Sequence, residues 1–226
     1  AVAAELGALA THFSSAAKTT GSVYASGKIE KGQVAAQLKV SKLAVRRGDL
    51  PALTAETLSA AYYANALQLN RQHLALAGQP FETSAKILLS GRAPVIAGNV
   101  VFPALKLKSL MSGEKVAQGD IELTPFSADI LASATGIQLD KISAGFSRGT
   151  ISGKYTFTSE GGRHSARLNL SRVKTQDLSE ALKLRATVFA VLDGRCDLAF
   201  AGGSFDEMKK NVTGTLTASI GRGKIK

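Results

Sequence analysis

Alternation of apolar and polar residues with a period of two is the dominant pattern of this chain. It is clearest in residues 149–158, and it returns in residues 163–171, 196–200 and 212–220. In the first of these stretches isoleucine, glycine, tyrosine and phenylalanine share one side, while threonine, serine and lysine occupy the other. This period is typical of a β-strand with one buried face and one wet face.

The same alternation predicts strands through most of the upstream chain, in residues 23–29, 34–45, 57–63, 67–76, 81–89, 96–107, 121–123, 130–139 and 142–146. The apolar phase slips by one residue at Ser41-Lys42 and again near Arg71-Gln72. A slip inside a continuing strand predicts a β-bulge. Pro103 marks an edge or an irregularity within its strand.

Short helices are expected in three places. Residues 1–18 are rich in alanine with apolar residues at helical spacing, residues 175–183 begin at a threonine N-cap, and Ser204 with Glu207 fits a capping box that opens a helix ending near Asn211. About a dozen strands joined by short turns predict a mainly β fold. We expect a curved, mostly antiparallel meander sheet that forms an elongated half-open groove, with two or three short helices.

The domain organisation follows from these elements. We expect an N-terminal helix or linker over residues 1–20 and a β-groove domain over residues 21–226, with residues 149–226 as its last unit. No apolar run approaches the roughly 18 residues that span a bilayer. The ending at residues 221–226 indicates a strand cut part-way, so the sequence is expected to be a piece of a longer chain, with any membrane anchor outside it.

The sequence offers little catalytic chemistry. Residues 145–149 match the G-x-S-x-G pattern, but that motif requires a helix after its serine, and a strand follows Ser147 here, so Ser147 is predicted to be a turn residue. His12, His73 and His164 with the single Cys196 give no metal-ligand spacing, and no phosphate-binding loop is present. We therefore predict no enzyme, no cofactor and no metal, and Cys196 is predicted to be a packed small residue.

The formal charge of +11 favours an anionic partner. The basic residues are dispersed, only Arg46-Arg47 and Lys209-Lys210 are adjacent, and aromatic residues do not interleave with them. Nucleic acid is therefore not expected as the partner, because single-strand binding sites need stacking platforms beside the charges.

The apolar phase of the strands is then the main candidate site. It has two interpretations that periodicity cannot separate: the packed core of an ordinary sandwich, or the floor of a trough that binds acyl chains. If it is a floor, the lipid-binding residues are those on the apolar phase: Val34, Leu38, Val40, Ile151, Tyr155, Phe157, Leu168, Leu170, Leu198, Phe200, Leu216 and Ile220.

The order of elements in the last third of the chain resembles the C-terminal region of the AsmA family of bacterial envelope proteins. The matching elements are a glycine-opened strand, a hairpin partner, a short helix, a strand, a second short helix and a closing strand, at residues 149–157, 166–170, 177–183, 194–203, 204–210 and 214–225. Residues 88–110 resemble the family's preceding repeat less sharply, and residues 1–60 match only in general style.

This resemblance, to relatives of the TamB and YhdP type, implies a periplasmic protein tethered to the bacterial inner membrane. It implies a bridge-like β-groove that carries phospholipids and supports outer-membrane biogenesis, with no catalytic residues. The expected partners are a phospholipid or another acyl-chain lipid and a membrane reached through an anchor that this chain lacks. Two alternatives stay open: a scaffolding envelope module with a packed core, and a basic β-domain that binds an anionic polymer.

Overall fold

The structure is a computed structural model that describes residues 2–5, 17–30, 33–47, 51–89, 91, 93–107, 121–177, 188–202, 207, 210–221 and 224–225. These residues form seventeen strands: β1 Val2–Glu5, β2 Ala17–Glu30, β3 Gln33–Arg47, β4 Leu53–Tyr63, β5 Ala66–Leu76, β6 Gln79–Leu88, β7 Val95–Phe102, β8 Leu105–Lys106, β9 Glu122–Leu123, β10 Phe126–Ser133, β11 Gly136–Phe146, β12 Gly149–Thr158, β13 Arg163–Lys174, β14 Val188–Phe189, β15 Val191–Ala201, β16 Thr213–Ile220 and β17 Lys224–Ile225.

Thirteen of these strands form a single antiparallel sheet. Its order is β1-β2-β3-β4-β5-β6-β7-β10-β11-β12-β13-β15-β16, so the strands of the sheet lie side by side in the order in which they occur along the chain. The end strands β1 and β16 do not pair with each other. The remaining strands form two small pairs, β8 with β9 and β14 with β17. The mainly β fold and the antiparallel meander predicted from the alternation are confirmed.

Four β-bulges interrupt the ladders, and each contains a basic residue with a left-handed backbone. These residues are Lys42, Arg71, Lys141 and Arg172, with φ of 52°, 37°, 49° and 56°. The register shifts beside each of them, because two residues on the bulged strand face one on the neighbouring strand. The bulges predicted at Ser41-Lys42 and near Arg71-Gln72 are therefore confirmed.

The register keeps one face of the sheet apolar from end to end. Residues that are paired across neighbouring strands point to the same side, and successive pairings can be followed across eleven strands. One such row is Gly27, Ala36, Tyr62, Leu67, Ile87, Ile96, Ala132, Ile137, Phe157, His164 and Phe200. We call this side the apolar face and the opposite side the outer face.

A short segment covers part of the apolar face. Residues 103–107 and 121–125, here called the strap, include the two-residue strands β8 and β9. Leu105 and Leu123 of the strap are only 4% and 7% exposed. They form the hydrophobic core together with apolar-face residues of β4 to β7 and β10 to β11, which are Ala55, Leu74, Phe81, Phe102, Phe126, Ala128, Ile142 and Ala144.

The helix expectations fare less well. The helix predicted over residues 1–18 is wrong for Val2–Glu5, which form strand β1 along β2 with Val2 opposite Ala25, and for residues 17–18, which begin β2. The boundary expected after residue 20 falls inside β2. A free sheet edge offers a row of backbone hydrogen-bonding groups, and pairing with them outweighs the helix preference of alanine. The apolar residues that suggested the helix lie in residues 6–16, outside the described residues.

The described chain contains almost no helix. Residues 175–177 are helical, as predicted for the start of the second helix, and residues 207 and 210 are helical within the third. The rest of both predicted helices lies outside the described residues. Among the described residues, no helix has the length and apolar character needed to cross a membrane.

Candidate functional site

The structure brings the twelve predicted floor residues to one face. On β12, β13, β15 and β16 the pairings join Ile151 to Leu170, Tyr155 to Ala166 and Leu198, Leu168 to Cys196 and Leu216, and Phe157 through His164 to Phe200. Val34, Leu38 and Val40 lie an even number of residues from Ala36 on β3, so they point to the same side as Ala36, which belongs to the apolar row. Ile220 lies opposite Leu192. Their shared position is observed, whereas their role in binding lipid stays a prediction.

The apolar face is covered in one part and open in another. Beneath the strap, Phe102 and Ala144 are almost fully buried. Away from it, Ile137 is 40% exposed and Leu216 on the last strand is 63% exposed. Within the described part of the chain, the only other strands outside the main sheet form two-stranded pairs, so no second broad sheet closes over this face.

A cavity of about 280 Å³ lies between the strap and the sheet. The strap contributes Leu107, Ile121 and Leu123, and all the other lining residues belong to β10 to β13. They are Phe126, Ile142, Ala144, Phe146, Ile151, Tyr155, Ala166, Leu168, Leu170 and Val173. Every lining side chain is apolar except for the hydroxyl group of Tyr155.

Comparison of the chain with family models, curated proteins and solved structures finds no match. The likeness to the AsmA family therefore stays an expectation from the order of elements.

One polar cluster is embedded in the apolar face. The Tyr155 hydroxyl lies 2.7 Å from Nδ1 of His164, and Nε2 of His164 lies 3.2 Å from the carbonyl oxygen of Gly202. Since a carbonyl oxygen only accepts, Nε2 carries a proton, and in the neutral ring Nδ1 accepts a hydrogen bond from the tyrosine hydroxyl. The ring stacks on Phe200 at 4.8 Å between centroids and contacts Phe157 at the same distance. Burial raises the pKa of the Tyr155 hydroxyl.

Several ion pairs join neighbouring strands of the main sheet, and they lie on the outer face. Arg71 pairs with Glu82 at 3.0 Å, and Lys141 pairs with Asp129 at 2.8 Å. At the other end of the sheet Asp197 accepts from two arginines, Arg167 at 2.5 Å and Arg195 at 2.9 Å, which hold the pKa of its carboxyl below the ordinary value. The two faces therefore divide the chemistry, with charge on one side and hydrocarbon on the other.

The remaining candidate residues take structural positions. Ser147 and Arg148 form the turn between β11 and β12, both with positive φ, and the Ser147 hydroxyl donates to the carboxylate of Asp177. The turn predicted for Ser147 is confirmed. His73 lies on the outer face beside Glu82, and His12 lies outside the described residues. Cys196 points to the apolar face between Leu168 and Leu216 and is half-buried, as predicted for a packed small residue.

The position of the strap over the sheet does not follow from the sequence pattern. The pattern predicts strand character for residues 96–107 and for Ile121 and Leu123, but it does not show that these residues cover the apolar face. Pro103 and Pro125 carry the available signal, because each ends or begins a strand of the main sheet at the point where the chain leaves or rejoins it.

Proposed function

We propose that this protein is a non-enzymatic envelope protein that binds the acyl chains of phospholipids on its apolar face and supports lipid transfer or outer-membrane assembly. The observation that carries the proposal is a single sheet whose apolar face continues in register across the strands and is open away from the strap. A packed core would not leave Ile137 and Leu216 so exposed on the same face.

The dimensions of the sheet suit a lipid path. Thirteen strands about 4.8 Å apart extend for roughly 58 Å across the sheet. One leaflet of a bilayer contributes about 15 Å of hydrocarbon, so the face has room for several lipids end to end. Each methylene group removed from water contributes roughly 0.8 kcal/mol, and the apolar side chains of this face supply that contribution along most of its length.

The cellular setting of the proposal rests on the resemblance to the AsmA family. A member would reside in the bacterial periplasm, tethered to the inner membrane. A phospholipid bound to it would lie with its acyl chains on the apolar face and its headgroup in water.

A matched pair of substitutions tests the proposal. Ile137 on β11 lies on the apolar face, and Leu131 on the neighbouring β10 lies on the outer face, 40% and 45% exposed. Ile137→Glu and Leu131→Glu remove similar exposed apolar side chains and add the same charge. Phospholipid bound to the purified protein is then counted by native mass spectrometry and by extraction.

We expect Ile137→Glu to bind less phospholipid than the wild type and Leu131→Glu to bind as much. Equal losses in both variants would mean that lipid adheres to any exposed apolar residue, which would refute a binding face. A wild-type protein that carries no phospholipid at any loading would favour the scaffolding alternative. Binding to a polyanion that weakens steeply with salt, without lipid, would favour the basic β-domain.

A further inference from the structure

The cavity beneath the strap differs from the rest of the apolar face because it is bounded on two sides. Ile142, Ala144 and Leu168 form its floor on the sheet, while Leu107 and Leu123 of the strap lie opposite them. An acyl chain on the open face contacts protein on one side only, whereas a chain in this cavity contacts hydrocarbon on two opposite sides.

The strap is fixed at both of its ends. The side chain of Gln79 accepts a hydrogen bond from the backbone N–H of Lys106 at 2.7 Å and donates to its carbonyl oxygen at 3.1 Å. At the other end the N–H of Thr124 donates to the Gly145 carbonyl at 2.8 Å, and the N–H of Gly145 donates to the Pro125 carbonyl at 3.1 Å. These anchors hold the strap at a set height above the sheet, so the cavity is a built feature of the fold.

The volume limits what the cavity can hold. An apolar cavity of about 150 Å³ accommodates the six carbons of benzene, so a cavity of about 280 Å³ accommodates roughly eleven carbons. That is part of one acyl chain and too little for the two chains of a phospholipid side by side. The lining offers no charged group, and the Tyr155 hydroxyl is already bonded to His164.

We infer that the strap cavity is a binding site for one acyl chain, which enters with its methyl end and leaves its headgroup outside. This inference rests on the proposed function, because it takes for granted that acyl chains reach the apolar face. The two parts of the face would then differ in what they bind. The open part binds several acyl chains, whereas the strap cavity binds one chain and only to a limited length.

A series of saturated acyl chains of increasing length tests how many carbons the strap cavity holds. Fatty acids and lysophosphatidylcholines of eight to sixteen carbons are titrated against the lipid-free protein by calorimetry. We expect affinity to rise about fourfold for each added methylene up to roughly eleven carbons and only about twofold beyond, where one side of the chain stays in water. If the affinity gain per methylene falls at the same chain length in both series, the cavity recognises the acyl chain. A fall, or break, in only one series would overturn the inference, since it would assign recognition to the headgroup.

Filling variants test the location. Ala166→Leu on β13 narrows the cavity, Leu168→Phe narrows it independently, and Ala199→Leu on the outer face of neighbouring β15 is the control. We expect both filling variants to move the break to shorter chains or to abolish it, with Ala199→Leu unchanged; thermal unfolding checks that each variant folds. Dipalmitoyl phospholipid with a photoreactive group at one chain end should label strap residues at no more than one chain per protein.

The outcomes separate the inference from the proposed function. Chain binding with one uniform slope, unaffected by both filling variants, would refute the strap site while leaving the open face intact. Absence of binding by any chain would refute both.

Discussion

Replacing Gly145 with alanine tests whether the strap is held where the structure places it. Gly145 lies on β11 beside the Thr124–Pro125 end of the strap, and a Cβ atom at this position would overlap the carbonyl oxygen of Thr124. The backbone of Gly145 also makes both hydrogen bonds that anchor this end of the strap. Since the contact is with backbone atoms, no side chain can turn aside to relieve it, and the strap itself has to move.

The expected cost follows from what that movement breaks. Two backbone hydrogen bonds contribute about 1 kcal/mol each, and burial of Leu123 contributes about 2 kcal/mol. A strap that only shifts loses about 2 kcal/mol, and one that detaches at this end loses about 4 kcal/mol, while the anchor at Gln79 retains the other end. Alanine returns about 1 kcal/mol by restricting the unfolded chain, so Gly145→Ala should lower the free energy of unfolding by about 1–3 kcal/mol.

Urea unfolding measures this change, and Gly91→Ala is its control. Gly91 is exposed and has no positive φ, and a Cβ atom there would meet neighbours only at 3.5 Å or more, so this variant should be neutral or stabilising by up to about 1 kcal/mol. Faster hydrogen exchange of the Thr124 and Gly145 amides should accompany the loss in Gly145→Ala. A Gly145→Ala protein as stable as Gly91→Ala, with unchanged exchange, would refute the strap contact.

Three further predictions concern single side chains. Burial raises the pKa of the Cys196 thiol, so iodoacetamide should modify it more slowly at pH 8 than a free cysteine, and more slowly again after lipid loading; equal rates with and without lipid would remove Cys196 from the bound surface. The hydrogen bond from Arg71 lowers the pKa of Glu82, so the pair stabilises the fold above the ordinary glutamate pKa and this contribution is lost as the pH falls through the lowered value; NMR titration of Arg71→Ala should show the Glu82 pKa rising, and no change would contradict the pair. His164→Ala should cost about 1–3 kcal/mol in urea unfolding because it leaves the Tyr155 hydroxyl without its partner, whereas a neutral effect would mean that water replaces the imidazole.

The strand pattern was predictable because burial on one face imposes it on every strand. Even the phase slips at Lys42 and Arg71 are visible in the sequence, since a bulge moves the apolar residues from one parity to the other within a continuous strand. The slip at Lys141 is equally present between Leu139 and Ile142, where two polar residues separate the apolar ones. Where a short turn joins two strands, their pairing follows from the turn, but β7 with β10 and β13 with β15 pair across longer connections.

The strap and the N-terminal strand were not predictable for a different reason. Leu105 and Leu123 have the same local pattern as any strand residue, and only tertiary contact decides that they cross above the sheet. Val2–Glu5 have helix-favouring composition, and a free edge on β2 overrides it. The contact of His164 with Phe200 was likewise beyond reach, because the two residues are far apart in sequence and meet only through the β13–β15 register.

The four bulges explain how a sheet of this width keeps its two faces distinct. Each bulge places a basic residue in a left-handed conformation, on β3, β5, β11 and β13 of the meander. The extra residue increases the local twist and bends the strand, and it puts the basic side chain on the outer face, where Arg71 and Lys141 find carboxylates. The extra residue of a bulge would by itself turn the following apolar residues to the outer face. The apolar residues move from even to odd positions, or the reverse, at each bulge, so they stay on the apolar face. The parity change in the sequence therefore keeps the apolar face continuous at each bulge, where the strand bends locally.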